Sequence, residues 1–186
     1  MSTPPALLVI GIHREERAFG EAVASSLDRK LVDVLVIPEG LSGRRPRPDQ
    51  KFSHDVLHRA LYLQLLPHML GHHDLLIDLH TGVDRGGPCA DLICSAPWKF
   101  ASLAPQFAPD WLPGDPAEKI RFVALGQAGD GVKPTALADM AIPEEIWRNP
   151  RFNYVGVEVF LPERSSDTAE PLAFARDLIT RLASGT

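Results

Sequence analysis

Two histidines and three carboxylates stand where the surrounding apolar sequence gives little reason for them. In Leu7-Leu8-Val9-Ile10-Gly11-Ile12-His13-Arg14-Glu15-Glu16, His13 follows a run that reads as a buried strand, and Glu16 comes three residues later. The carboxyl edge of such a strand is where open α/β sheets bind ligands. Imidazole and carboxylate are both zinc ligands, and a turn of this length can bring the two onto one ion. Taken alone, the pattern also fits a surface histidine before an acidic helix start that favours the helix dipole. A second run, Leu75-Leu76-Ile77-Asp78-Leu79-His80, again ends in histidine. Asp78 precedes His80 by two positions and so shares its face of the strand. A buried carboxylate is costly unless compensated. A metal-bound imidazole commonly needs such a partner for its second nitrogen; the alternative is a strand end capped by Asp78 on backbone. The third run is Tyr154-Val155-Gly156-Val157-Glu158-Val159-Phe160. Glu158 there suits a general base facing a cavity, with a pKa tuned by its surroundings. It equally suits an edge strand with one wet face.

Taken together, His13, Glu16 and His80 make three metal ligands with an open fourth position, and Glu158 makes the adjacent base. Three protein ligands plus water is the layout of a hydrolytic zinc site.

Gly11-Ile12-His13-x-x-Glu16, then Asp78-Leu79-His80-Thr81-Gly82, then Gly156-Val157-Glu158 resembles the succinylglutamate desuccinylase and aspartoacylase family, within the wider clan of zinc carboxypeptidases. The motifs occur in family order over residues 11–158. The resemblance implies a zinc-dependent amidohydrolase that cleaves the acyl group from an N-acyl amino acid or similar small amide through a metal-activated water. It implies one Zn2+ per chain held by His13, Glu16 and His80, and Glu158 as base and proton shuttle. It also implies an arginine that stabilises the oxyanion. The implied fold is a three-layer α/β/α sandwich with a mostly parallel mixed sheet, as one domain over residues 1–186.

Where the family pattern has glycine after its first histidine, this sequence has Arg14, and where it has Asp-Leu-Asn-Arg, this sequence has Asp49-Gln50-Lys51-Phe52. A basic cluster, Arg44, Arg45, Arg47 and Lys51, runs from just before this string into it. Given the resemblance, Arg44 or Arg45 is expected in the oxyanion role, and Arg47 and Lys51 are expected to bind a substrate carboxylate, which arginine holds in a bidentate fork. Otherwise this is a solvated basic loop. The same site would serve a metallocarboxypeptidase acting on short peptides, or a metal-binding or ligand-binding relative that has lost catalysis. A flavodoxin-like nucleotide binder would need a Gly-rich phosphate loop after a strand, and none occurs.

These residues must be positioned by a framework that the hydrophobic pattern outlines. Short continuous apolar runs at Ala6 to Ile12, Val32 to Ile37, Leu75 to Leu79, Ala90 to Cys94, Ile120 to Leu125 and Tyr154 to Leu161 read as strands buried on both faces. Between them, helical spacing predicts a helix over Glu15 to Leu27, with a stripe of Phe19, Val23 and Leu27. A second is expected from a Ser53 cap toward Gly71, with Val56, Leu57, Ala60, Leu61, Leu65 and Met69 facing inward, kinked or ended by Pro67. A last helix starts near Asp167, with a capping partner at Glu170 and a stripe of Leu172, Ala175, Leu178, Ile179 and Leu182. Residues 97–118 and 127–152 are rich in proline or glycine and read as long loops, with one helical turn at Glu144 to Trp147. Alternating strands and helices give the α/β sandwich. His54, His58, His68, His72 and His73 read as structural or solvated, and Cys89 and Cys94 as small buried hydrophobes.

At 186 residues with 45% apolar and 23% charged content, the chain suits one soluble domain with a sizeable core. A net charge of -5 speaks against nucleic-acid or anionic-membrane partners. No stretch is long enough for a membrane span, and no secretion signal opens the chain. Two cysteines are too few for a disulfide scaffold, so a reduced, cytoplasmic protein is expected; the resemblance implies a small-molecule substrate bearing a carboxylate.

Overall fold

A computed structural model describes residues 5–44, 46–84, 89–96, 119–126, 136–138, 142–162 and 168–185. Arg45, Asp167, all of 97–118 and part of 127–152 lie outside the described residues. The runs read as strands form one seven-stranded sheet in the order β2-β1-β3-β7-β4-β5-β6. The strands are β1 Ala6–Ile10, β2 Val32–Val36, β3 Leu75–Asp84, β4 Cys89–Cys94, β5 Ile120–Leu125, β6 Ala136–Ala138 and β7 Asn153–Pro162. Every pairing is parallel except β4 with β7. The sheet is thus mixed and mostly parallel. Helices α1 (Arg17–Ala24) and α5 (Ala169–Ser184) cover one face; α2 (Lys51–Leu63), α3 (Leu66–Met69) and α4 (Glu144–Trp147) cover the other.

The core divides accordingly. Leu8, Ile10, Ile77 and Val157 meet Phe174, Leu178 and Ile179 on one side, while Val9, Leu76, Ile93 and Tyr154 meet Tyr62, Leu65, Met69 and Ile146 on the other. Each fully buried aliphatic side chain contributes ~1.5–3 kcal/mol against exposure, so both layers matter to stability.

Several boundaries differ from expectation for local reasons. β1 stops at Ile10 because Gly11 turns the chain at φ +86°, a conformation that suits glycine. β3 runs past His80 to Asp84 because its pairing with β7 continues from Leu75↔Asn153 to Asp84↔Pro162. His80 therefore lies within the strand and not at its end. β6 pairs with β5 inside a stretch read as loop, too short to show in the hydrophobic pattern. Helix α1 is shorter than expected. Its Phe19 and Val23, with Leu27 just beyond its end, face the core, as the stripe required.

Helix α2 departs most. Ser53 does not cap it; the helix begins at Lys51 after Gln50, and Pro67 opens the separate short helix α3. Val56 and Leu57, expected inside, are 50% and 56% exposed, while His58 and Tyr62 are buried. The rotation follows from Asp78, which is wholly buried and receives a hydrogen bond from Tyr62. Leaving a buried charge without partners costs ~3–5 kcal/mol, more than the partial exposure of two aliphatic side chains. In α5, Thr168 stands at the N-cap position with no side-chain cap, and the expected partner Asp167 lies outside the described residues. No described helix is long and apolar enough to cross a membrane.

Candidate metal centre

The strand order reverses between β2-β1 on one side and β3 on the other, and helices α1 and α2 leave to opposite faces. In such sheets a crevice opens at the carboxyl ends of the strands flanking the reversal. His13 follows β1, and His80 lies in the neighbouring β3.

The turn after β1 does the local work. The Glu16 amide donates to the His13 carbonyl at 3.1 Å, which curls the chain so that both side chains point the same way. Glu16 also stands at the N-cap of α1, where a carboxylate is favoured. Its Oε1 lies 3.1 Å from His13 Nδ1, and its Oε2 lies 3.0 Å from His80 Nδ1. One ligand atom from each of the three residues falls within 4.8 Å of the others. Ligands on a tetrahedral zinc with bonds of 2.0–2.1 Å stand about 3.3 Å apart, close to the 3.1 and 3.0 Å of the two histidine–carboxylate pairs, so these residues could hold one such ion. Burial alone would raise the Glu16 pKa. Hydrogen bonds from His13 and His80 outweigh it and hold the carboxyl below its usual value, ready to act as an anion.

Behind His80 the second imidazole nitrogen is already engaged. Nε2 lies 2.9 Å from Asp78 Oδ2. The same oxygen accepts hydrogen bonds from Tyr62, at 2.5 Å, and from Tyr154, at 3.1 Å. This leaves Nδ1 of His80 for Glu16 and for an ion. Burial works against charge on both members of the pair. Their mutual attraction prevails, so His80 is raised and Asp78 lowered.

Glu158 is the register partner of His80 on β7, and paired residues of adjacent strands face the same way. It is half-buried beside the three-residue cluster. Burial pushes its pKa above the ordinary carboxylate range; His80 pulls it down, and Asp91 and Glu16 reinforce the rise. Its other flank carries Asp91, its partner across β4, and Arg121 on β5. Arg121 Nε lies 2.6 Å from Asp91 Oδ1, and the guanidinium sits 4.8 Å over the Phe160 ring.

The basic loop is tied to the turn that carries His13 and Glu16. Leu41 pairs with His13 in an isolated bridge, and the Gly43 position lies against the His13 ring. Glu15, read only as an acidic helix start, accepts from Ser42 Oγ at 2.9 Å and from the Gly43 amide at 3.0 Å. The Gly43 hydrogen bond is the main reason its pKa is held down to about 2. Arg44 follows directly and is exposed. Arg47 and Lys51 are exposed and pair with Asp49 and Asp55. Because Glu15 is depressed in the folded state, its contribution to stability is present above its unfolded value near 4.5 and is lost as pH falls toward 2. Urea unfolding of Glu15→Gln should therefore show lower stability than wild type at pH 6, with the gap closing by pH 2; a gap independent of pH would contradict the clamp.

Some participants carried a signal that the motifs did not use. Asp91 and Arg121 each interrupt an apolar strand, the same anomaly that singles out Asp78 and Glu158. His58, read as structural, stacks 6.1 Å from His13 and lies tilted 4.9 Å from the Tyr62 ring, and so borders the cluster. Tyr62 sits on a helix line, 58-62-65-69, that is as regular as the aliphatic stripe beside it.

No protein-family model and no curated protein sequence matches the chain. Among solved structures, a point variant of murine aminoacylase 3 superposes with a TM-score of 0.51 at 14% identity, over 99% of this chain and 64% of that one. The likeness shows the fold, a zinc carboxypeptidase-like α/β/α sandwich, and the present chain spans less than two-thirds of the murine protein. Also similar are succinylglutamate desuccinalase from Vibrio parahaemolyticus (TM-score 0.47, 12% identity, 98% of this chain and 67% of that one) and the catalytic domain of an N-acetylmuramoyl-L-alanine amidase from Bacillus (Paenibacillus) polymyxa var. colistinus (0.47, 11%, 100% and 96%).

Proposed function

We propose that this chain is a zinc-dependent amidohydrolase that removes the acyl group from an N-acyl amino acid or a related small amide, and that residues 1–186 form its one catalytic domain. The observation that carries the reading is the convergence of His13 Nδ1, Glu16 and His80 Nδ1 with Glu158 on the strand next to His80. An aminoacylase among the structures of the same fold supports it.

In this reading His13, Glu16 and His80 hold the ion. Zinc, when bound, supplies a Lewis acid for the acyl carbonyl and lowers the pKa of water at its open position. Glu158 takes a proton from the attacking water and later delivers it to the leaving amine nitrogen. A carboxyl whose pKa burial raises takes up a proton more readily than a free one and so suits the base step. Asp78 keeps the His80 ring in place from behind. Arg44, on the loop that Glu15 fastens beside His13, would meet the oxyanion, a role the sequence offers equally to Arg45, which lies outside the described residues. Arg47 and Lys51 would take the substrate carboxylate by exchanging Asp49 and Asp55 for it.

A panel of N-acyl amino acids and dipeptides, run on zinc-loaded protein with and without chelator, tests the reading. Chelator-sensitive release of a carboxylic acid from the acyl amino acids is expected. Cleavage of peptides alone would replace it with a carboxypeptidase, and zinc binding without any turnover would make the chain an inactive relative.

A further inference from the structure

We propose that Tyr62 and Tyr154 are positioning residues of the metal centre, which select through Asp78 the nitrogen that His80 presents to the ion. The proposal rests on the reading of His13, Glu16 and His80 as metal ligands. Three contacts converge on one oxygen of Asp78: Tyr62 Oη, Tyr154 Oη and His80 Nε2. The other oxygen, Oδ1, is buried with no hydrogen-bond partner among the described residues. Such crowding on Oδ2 is not what mere solvation of a buried anion would produce, since sharing donors between both oxygens would satisfy more lone pairs. It fixes the carboxylate's rotation instead. With Oδ2 held by two phenols, the imidazole nitrogen facing it must be the donor, and the other nitrogen, Nδ1, faces Glu16.

The two phenols arrive from separate layers, Tyr62 from helix α2 and Tyr154 from strand β7, and both are almost wholly buried. The sequence makes room for the second. Gly156 is the register partner of Asp78, and a Cβ there would stand 3.0 Å from the Tyr154 hydroxyl. The same-face triplet of β7 therefore reads as hydroxyl, gap and base: Tyr154, Gly156, Glu158.

Phenylalanine at either position keeps the ring packing and removes only the donor. Zinc affinity, measured by competition with a chromophoric chelator, should fall about 10- to 100-fold in Tyr62→Phe/Tyr154→Phe, the range for partners that orient a metal-bound histidine. The slowly exchanging Nε2 proton of His80 should shift and broaden in 15N-edited spectra. Gly156→Ala, which retains both hydroxyls, should reproduce Tyr154→Phe and keeps the test open if Tyr62→Phe fails to fold. A lower melting temperature with zinc affinity within twofold of wild type and an unmoved Nε2 proton would overturn the proposal and leave the phenols a structural role alone. If wild type binds no zinc, the metal reading itself fails. The Nε2 proton of the metal-free protein then still decides whether the phenols orient His80.

Discussion

Replacing Glu158 by Gln is expected to leave zinc bound and to lower kcat for the acyl substrate by about 100- to 10,000-fold, the share a positioned general base supplies. The side chain keeps its length and its place beside His80 and loses only the ability to carry a proton. Zinc content by elemental analysis and kcat by amine release separate the two effects. Turnover close to wild type would remove Glu158 from the mechanism. The same base sets the acid limb of the rate profile. Its pKa is raised by burial, so kcat/KM should rise with pH through a value above the ordinary carboxylate range. That limb should vanish in the variant. An acid limb unchanged in Glu158→Gln would assign it to another group.

The second large effect concerns the metal. The wild-type chain is expected to carry about one zinc, and both His13→Ala and His80→Ala should lose it along with all chelator-sensitive hydrolysis. The two variants should differ in stability. His80 faces Asp78 in the dry interior, and removing one partner of a buried pair costs ~3–5 kcal/mol. The two tyrosine hydrogen bonds that remain on Asp78 place the loss toward the lower end. His13 is only partly buried, and the Glu16 carboxylate it would leave is itself partly exposed and keeps His80 as a partner. Its variant should melt near the metal-free wild type. Full zinc occupancy in His13→Ala would overturn the ligand assignment.

The sheet was legible because a strand buried on both faces leaves a continuous apolar run, as in Leu75 to Leu79 and Tyr154 to Leu161. The charged or imidazole groups within those runs stood out for the same reason, and the structure brings His13, Glu16 and His80 within 4.8 Å of one another. Helix α2 was misread because Val56 and Leu57 make a good stripe by hydropathy, while the demand that rotates the helix comes from Asp78 on another element. That demand is tertiary and leaves no local trace. The role of Glu15 was hidden similarly. Its partners, Ser42 and Gly43, lie 27 and 28 residues away, and nothing in the Glu15-Glu16 pair announces them. Asp91 and Arg121 were readable by the criterion already applied to Asp78, but they belong to no motif.

The four residues of the candidate centre hang on parts of the chain with unequal cohesion. His80 and Glu158 lie on β3 and β7 in the middle of the sheet, paired with each other, and Glu158 is paired also with Asp91 on β4. Their amides should exchange with deuterium only when the whole molecule unfolds. His13 and Glu16 sit in a turn leading into an eight-residue helix, with a few loop contacts to hold them. Such a segment opens far more often than the sheet. An ion held across this boundary would leave by the peeling away of the 13–16 turn while the strands stay intact. Its residence time would follow the frequency of that local opening, and loading the metal would slow amide exchange at the turn much more than in the sheet.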